Sequence, residues 1–156
     1  MKQPVPSCDS ALSDLIISSY RRIVGQALLP QDVPKAEQSN WLYKSAPFCV
    51  LAHNHDSDPL FIYANETAQR CFEYSLAEFL TLPSRMSAEA PDRLERQRLL
   101  DAVTKNGFAT GYTGLRVAKS GRRFWIENGI VWQLTDDQGA IYGQAATFNH
   151  WRDAKP

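Results

Sequence analysis

From residue 107 onward the chain alternates apolar and polar side chains, broken at Lys119-Ser120-Gly121-Arg122 and at Asp136-Asp137-Gln138-Gly139. The segments around these breaks are rich in Val, Ile, Trp, Tyr, Phe and Thr, which suit a pleated, half-buried surface. In the middle segment Phe124, Ile126, Asn128, Ile130, Trp132 and Leu134 fall on one side. Trp125, Glu127, Gly129, Val131 and Gln133 fall on the other. The pattern predicts a three-stranded antiparallel meander over 109–118, 123–135 and 140–149. Such a sheet cannot bury its apolar face alone, so earlier residues must cover it.

Those earlier residues read mainly as helix. Residues 1–8 contain Pro4 and Pro6, show no apolar pattern, and are expected to be disordered. Asp9 or Ser10 can cap a helix over 11–29, whose stripe of Leu12, Ile16, Tyr20, Ile23 and Ala27 recurs at helical spacing and which Pro30 stops. A second, shorter helix is expected between Pro34 and Pro47. Two short strands follow, at 48–53 and 60–64, separated by a polar turn. Asn65 or Thr67 then opens a short helix and Ser75 caps another. The longest inner helix is expected over 91–106, with Pro91, Glu89 and Asp92 at its start, Gly107 past its end, and Leu99, Leu100 and Val103 buried.

Composition narrows the class. The 156 residues carry no formal net charge, which argues against a general nucleic-acid binder. No apolar run is long enough to span a membrane, and the first ten residues do not read as a signal peptide. Three cysteines, with no CxxC spacing, read as reduced thiols, and the expected location is cytoplasmic. No GxSxG, HExxH or Walker loop occurs, so the chain is not expected to be an enzyme. The alternating charges of Asp92, Arg93, Glu95, Arg96, Arg98 and Asp101 read as a solvated helix face.

The order of elements is two helices, two strands, short helices, a longer helix and three strands. It resembles the PAS fold. The resemblance rests on Tyr63-Ala64-Asn65, Glu73-Tyr74-Ser75, Lys119-Ser120-Gly121 with Phe124-Trp125, and Asp137-Gln138-Gly139. Within that superfamily the chain is similar to the MEKHLA domain family. The residues that carry this are Ser19-Tyr20-Arg21-Arg22, Leu42-Tyr43, Ala46-Pro47-Phe48, Pro83-Ser84-Arg85, Gly114-Leu115-Arg116, Arg122-Arg123-Phe124 and 143–148. The resemblance implies an α+β fold: a five-stranded antiparallel sheet with helices on one face, preceded by two N-terminal helices. The expected organisation is a disordered 1–8, a helical extension over 9–46 and a PAS-like domain over 47–150.

The same resemblance bears on cofactors, and none is expected. Flavin-binding light-sensing PAS domains carry an Asn-Cys-Arg motif where this chain has Pro83-Ser84-Arg85, so the cysteine of a photoadduct is missing. Their ring-holding amides correspond here to Arg116, Ile126 and, approximately, Ala145. His53, His55 and His150 do not fall on the helix that commonly supplies a haem ligand. The run His53 to Asp58 has metal-ligand chemistry, yet its residues serve a polar turn equally well, and no metal is expected.

The expected function is a small, non-catalytic sensory or ligand-binding module whose pocket lies between sheet and helices. Val50, Ala52, Cys71, Arg116, Ile126, Asn128, Ile130 and Ala145 are its candidate lining. One cation and one amide in apolar walls suit a small organic anion. By the resemblance Arg116 faces inward, but the hairpin register can also place it on the outer face. Inward, it reads either as a clamp for a ligand anion or as held by an internal ion pair or backbone carbonyls, and Cys71 reads also as a small core residue. The alternative is an interaction module with a self-filled pocket that forms a homodimer through the N-terminal helices. Either reading calls for a separate protein that receives the signal. No nucleic-acid or membrane partner is expected.

Overall fold

A computed structural model describes residues 10–87 and 93–154. The expected disorder over 1–8 and the helix start at Pro91 with Glu89 and Asp92 lie outside the described residues. So do the side chains of Arg93, Glu95 and Arg96.

The alternating segments form strands: β1 (Cys49–Asn54), β2 (Phe61–Ala64), β3 (Phe108–Val117), β4 (Arg123–Thr135), β5 (Ile141–Phe148) and β6 (His150–Asp153). All pair antiparallel, in the spatial order β2-β1-β5-β4-β3, with β6 on β4. The sheet thus has six strands rather than five. The sixth prolongs β5 along the first half of β4, pairing Glu127 with His150 and Phe124 with Asp153. Its sequence, His-Trp-Arg-Asp, is too short and polar to announce a strand.

Helices cover both faces. On one side lie α3 (Glu66–Phe72) and α4 (Leu76–Phe79), whose Ala68, Cys71, Phe72 and Phe79 pack with Cys49, Leu51, Phe61, Phe124, Ile126 and Phe148. We call this the inner face. It is also the side of α5 (Arg93–Asn106), where Val103 is buried, Leu99 is partly buried and Leu100 is exposed, against the expectation of burial. On the outer face lies α1 (Ser10–Val24), with α2, a helical run over 35–45 that ends in a π turn at Trp41–Ser45. Ile16, Tyr20, Leu42 and Tyr43 pack there on Val50, Ala52, Tyr63, Trp132, Leu134 and Ala145. The helix expected to reach residue 29 stops at Val24. Gly25 takes φ 84 and its N–H closes on the Arg21 carbonyl at 3.1 Å, a left-handed cap that ends the helix before Pro30 is reached.

Local capping follows the expected chemistry. Asn65 opens α3, accepting from the Ala68 N–H at 3.0 Å, and Ser75 opens α4 in a reciprocal capping box with Glu78.

The strict alternation read along 124–134 fails at Asn128. Phe124 and Ile126 pack on the inner face, whereas Ile130, Trp132 and Leu134 pack on the outer one. Asn128 takes φ 55 and is exposed. Two residues intervene on each strand between the Glu127–His150 and Ile130–Thr147 pairs, so β4 and its partner break stride together. Half of β4 therefore faces the opposite way from a simple period of two.

Candidate functional site

The inner face opens into a cavity of about 360 Å³. Alternation from β1 and β5 brings Leu51, His53, Gln144, Ala146 and Phe148 to it. Phe61, Phe72, Ile126 and Val131 complete an apolar floor, and Leu99 with Leu100 from α5 stands over it. Ser84 and Ser87, from a single 3-10 turn at Ser84–Ser87, close one end beside Tyr112, Gly114 and Arg116 of β3.

Arg116 pairs with Phe124 in the β3–β4 ladder and so faces inward, as one of the two sequence readings required. Its Nη1 donates to the Ser87 hydroxyl at 3.3 Å and its Nη2 to the Tyr112 hydroxyl at 2.9 Å. The Nε–H is buried with no partner. Its hydrogen-bond partners are both neutral, and no carboxylate among the described residues pairs with it. A guanidinium held this way keeps donor capacity and a charge that the described residues of the cavity wall do not balance.

The model of the MEKHLA domain matches residues 10–153. The chain belongs to the MEKHLA domain family. Among solved structures it is similar to the PAS domain of a protein from Colwellia psychrerythraea, with TM-score 0.63 at 17% identity, covering 78% of this chain and 98% of that one. It is also similar to an RNA-binding Light-Oxygen-Voltage receptor, with TM-score 0.62 at 20% identity over 82% of this chain and 35% of that one. The MEKHLA chain thus spans about a third of that receptor's length. The blue-light photoreceptor Aureochrome1 LOV gives TM-score 0.52 at 21% identity, covering 69% of this chain and 75% of that one. At these identities the likeness shows the fold. Among curated proteins none matches the chain.

The light-sensing neighbours make flavin the cofactor to test against these residues. Ser84 stands in the cavity wall where the resemblance places a cysteine, and a hydroxyl cannot form the photoadduct. Cys49 and Cys71 are buried in the core beneath α3, outside the cavity wall. A hydrogen bond to Cys71, and then burial, push the Cys49 thiol far above its ordinary range, so it is held as an inert thiol. The described residues of the cavity wall do not fit flavin-adduct chemistry.

Of the residues singled out from sequence, Ala52, Arg116, Ile126, Ile130 and Ala145 border the cavity. Only Arg116 and Ile126 of these belong to the inner face; Ala52, Ile130 and Ala145 belong to the outer core. Val50 sits wholly in that outer core, Cys71 sits in the inner core, and Asn128 is exposed at the break in β4. The three are not brought to the cavity. The amide that does reach it is Gln144, one residue before the expected Ala145. Tyr112, Ser87, His53 and Gln144 were missed. Alternation along β3 from Arg116 would have found Tyr112. The others depend on the strand register and on the 3-10 turn, which no local pattern marks.

In the loop from His53 to Asp58, the Asn54 side chain accepts from the N–H groups of Asp56 at 3.3 Å and Leu60 at 3.0 Å. This is turn chemistry, and no cluster of three or more His, Cys, Asp or Glu that could hold a metal forms among the described residues. No described helix is long and apolar enough to cross a membrane.

Proposed function

We propose that this MEKHLA domain is a PAS-type sensory module, non-catalytic, that holds a small organic anion in the cavity beneath the inner face, with Arg116 as its anchor. The observation that carries the reading is the Arg116 guanidinium. It lies in an apolar wall and, among the described residues, is bonded only to two neutral hydroxyls, with Nε buried and unpartnered. An apolar cavity with few placed polar groups is the usual form of a small-molecule site.

The alternative is an interaction module with a self-filled pocket and no ligand that dimerises through the N-terminal helices. Leu12, Ile16 and Tyr20 pack on the chain's own sheet, which weighs against that stripe as a seam between copies. Thermal melts with a panel of small carboxylates, sulfonates and phosphates test the proposal. Anions that raise the melting temperature of the wild type and not of Arg116→Ala support it. A panel that moves neither protein, together with a concentration-dependent melting point, favours the interaction module.

A further inference from the structure

Resting on the reading of Arg116 as an anion anchor, we infer that the ligand is a small monocarboxylate with an apolar body, and that Tyr112 is a second residue that grips its carboxylate. Tyr112, Gly114 and Arg116 stand two apart on one face of β3. A Cβ on Gly114 would lie 2.2 Å from the Tyr112 hydroxyl oxygen and 2.5 Å from its Cζ. The glycine therefore lets the tyrosine ring lie along the strand and bring its hydroxyl to 2.9 Å from Arg116 Nη2. In that bond the tyrosine oxygen accepts, which leaves its own proton to donate. The Ser87 hydroxyl is spent differently, since it accepts from Arg116 and donates to the Ser84 carbonyl at 2.8 Å.

The donors left over among the described contacts are the Arg116 Nε–H, the second Nη1 proton, the second Nη2 proton and the Tyr112 O–H. The Nε and Nη2 groups share one edge of the guanidinium, the geometry that takes both oxygens of a carboxylate. An all-donor end calls for an acceptor-only head. Charge sets the second limit. Arg116 is the only Lys or Arg in the described wall of the cavity, so it balances one negative charge. A dicarboxylate or phosphate monoester would bury a second charge among Leu51, Phe61, Ile126, Val131 and Phe148, where desolvation is costly. The volume of about 360 Å³ lies at the small end for small-molecule pockets.

Calorimetric titration at fixed ionic strength tests this, with octanoate and phenylacetate as probes beside suberate, octyl phosphate and octylamine. The expected result is saturable binding of at least one monocarboxylate, with suberate and octyl phosphate weaker by about tenfold or more, the equivalent of one good interaction. Tyr112→Phe weakens the monocarboxylate by about tenfold through the loss of one charge-assisted hydrogen bond, compared at a temperature well below the melting point of both free proteins, since the variant also takes an acceptor from Arg116 Nη2. Arg116→Lys, which keeps the charge and loses the fork, weakens it at least as much. Suberate or octyl phosphate binding as tightly as octanoate, or Tyr112→Phe binding like wild type, overturns the monocarboxylate assignment and leaves the anion site standing. Binding of octylamine in place of the acids, or of no probe at all, overturns the anion site itself.

Discussion

The indole Nε1 of Trp132 donates to the hydroxyl of Ser19 at 3.0 Å, with both side chains fully buried. Ser19 in turn donates to the Ile16 carbonyl at 3.2 Å, and the Tyr20 ring meets the indole edge-on at 4.8 Å. The N-terminal helix is thus fastened to the middle of the sheet and shares its outer core. Ser19→Ala leaves the indole N–H buried and unpaired, a loss of about 1–3 kcal/mol. Urea denaturation reads the loss, and it shrinks when Trp132 is already Phe. An equal loss in both backgrounds would show that the bond contributes nothing.

Asn65 is the second joint. Its Oδ1 accepts from the N–H groups of Val50 at 3.1 Å and Ala68 at 3.0 Å. Its Nδ2 donates to the carbonyls of Leu42 at 3.0 Å and Phe48 at 2.9 Å. One side chain therefore joins α2, β1 and the start of α3, without exposure. Asn65→Asp keeps the acceptor and turns two donors into a charge facing two carbonyls. It is expected to cost more than the roughly 1–3 kcal/mol typical of one unmet buried group. Asn65→Asp that melts within a degree or two of wild type would contradict this.

The order and type of the elements were legible in the sequence because cap, period and turn agree along most of the chain. Asn65 and Ser75 mark boundaries by local chemistry alone, whereas Pro30 marked one that Gly25 had already set. The site was less legible, and Asn128 is the reason. A period of two carried through it assigns Ile130 to the same face as Ile126, and a registered partner strand then carries Val50, Ala52 and Ala145 with it. One left-handed residue reverses all of them, and nothing in the side chain of an asparagine announces that it will take φ 55. Ile126 precedes the break and lies on the face that the alternation gives it; Arg116, whose face the hairpin register left open, lies inward beside Phe124.

That reversal predicts an ordering of substitutions. Asn128→Gly suits the positive φ and is expected to be neutral or mildly stabilising. Asn128→Val, β-branched and strained there, is expected to cost about 1–3 kcal/mol. Chemical denaturation midpoints measure both. Equal midpoints for the two variants would place Asn128 in ordinary extended backbone.

Three surface carboxylates give the acid side of the stability curve. Hydrogen bonds from Ser120 and then Arg122 hold Glu73 below the usual range, Lys119 does so for Glu78, and the Ala140 N–H does so for Asp136. A lowered folded value means that the unfolded chain takes up protons first. The contribution is complete above the unfolded carboxylate range of about 3.9–4.3 and is lost as pH falls through the lower folded values. Melting temperature is expected to fall over that acid window, and less steeply in Glu73→Gln. An identical acid slope in wild type and Glu73→Gln would count against the Arg122 and Ser120 contacts.

Arg116→Met separates a ligand anchor from a structural ion pair. Breaking a buried pair costs about 3–5 kcal/mol because the abandoned charge stays buried. Arg116 has no carboxylate to abandon among the described residues; its loss frees only the hydroxyls of Ser87 and Tyr112, and the Ser87 hydroxyl retains its bond to Ser84. Methionine fills a similar length with an apolar chain against an apolar floor. The ligand-free variant is therefore expected to lie within about 1 kcal/mol of wild type, in the range of well-tolerated volume-conserving swaps, or to gain stability by removing an unbalanced charge from the cavity. Stabilisation by an added monocarboxylate is expected to disappear at the same time. Denaturation midpoints of both proteins, with and without octanoate, measure the two effects together. A ligand-free loss of the size expected for a broken pair would return Arg116 to the structural reading, whatever octanoate does.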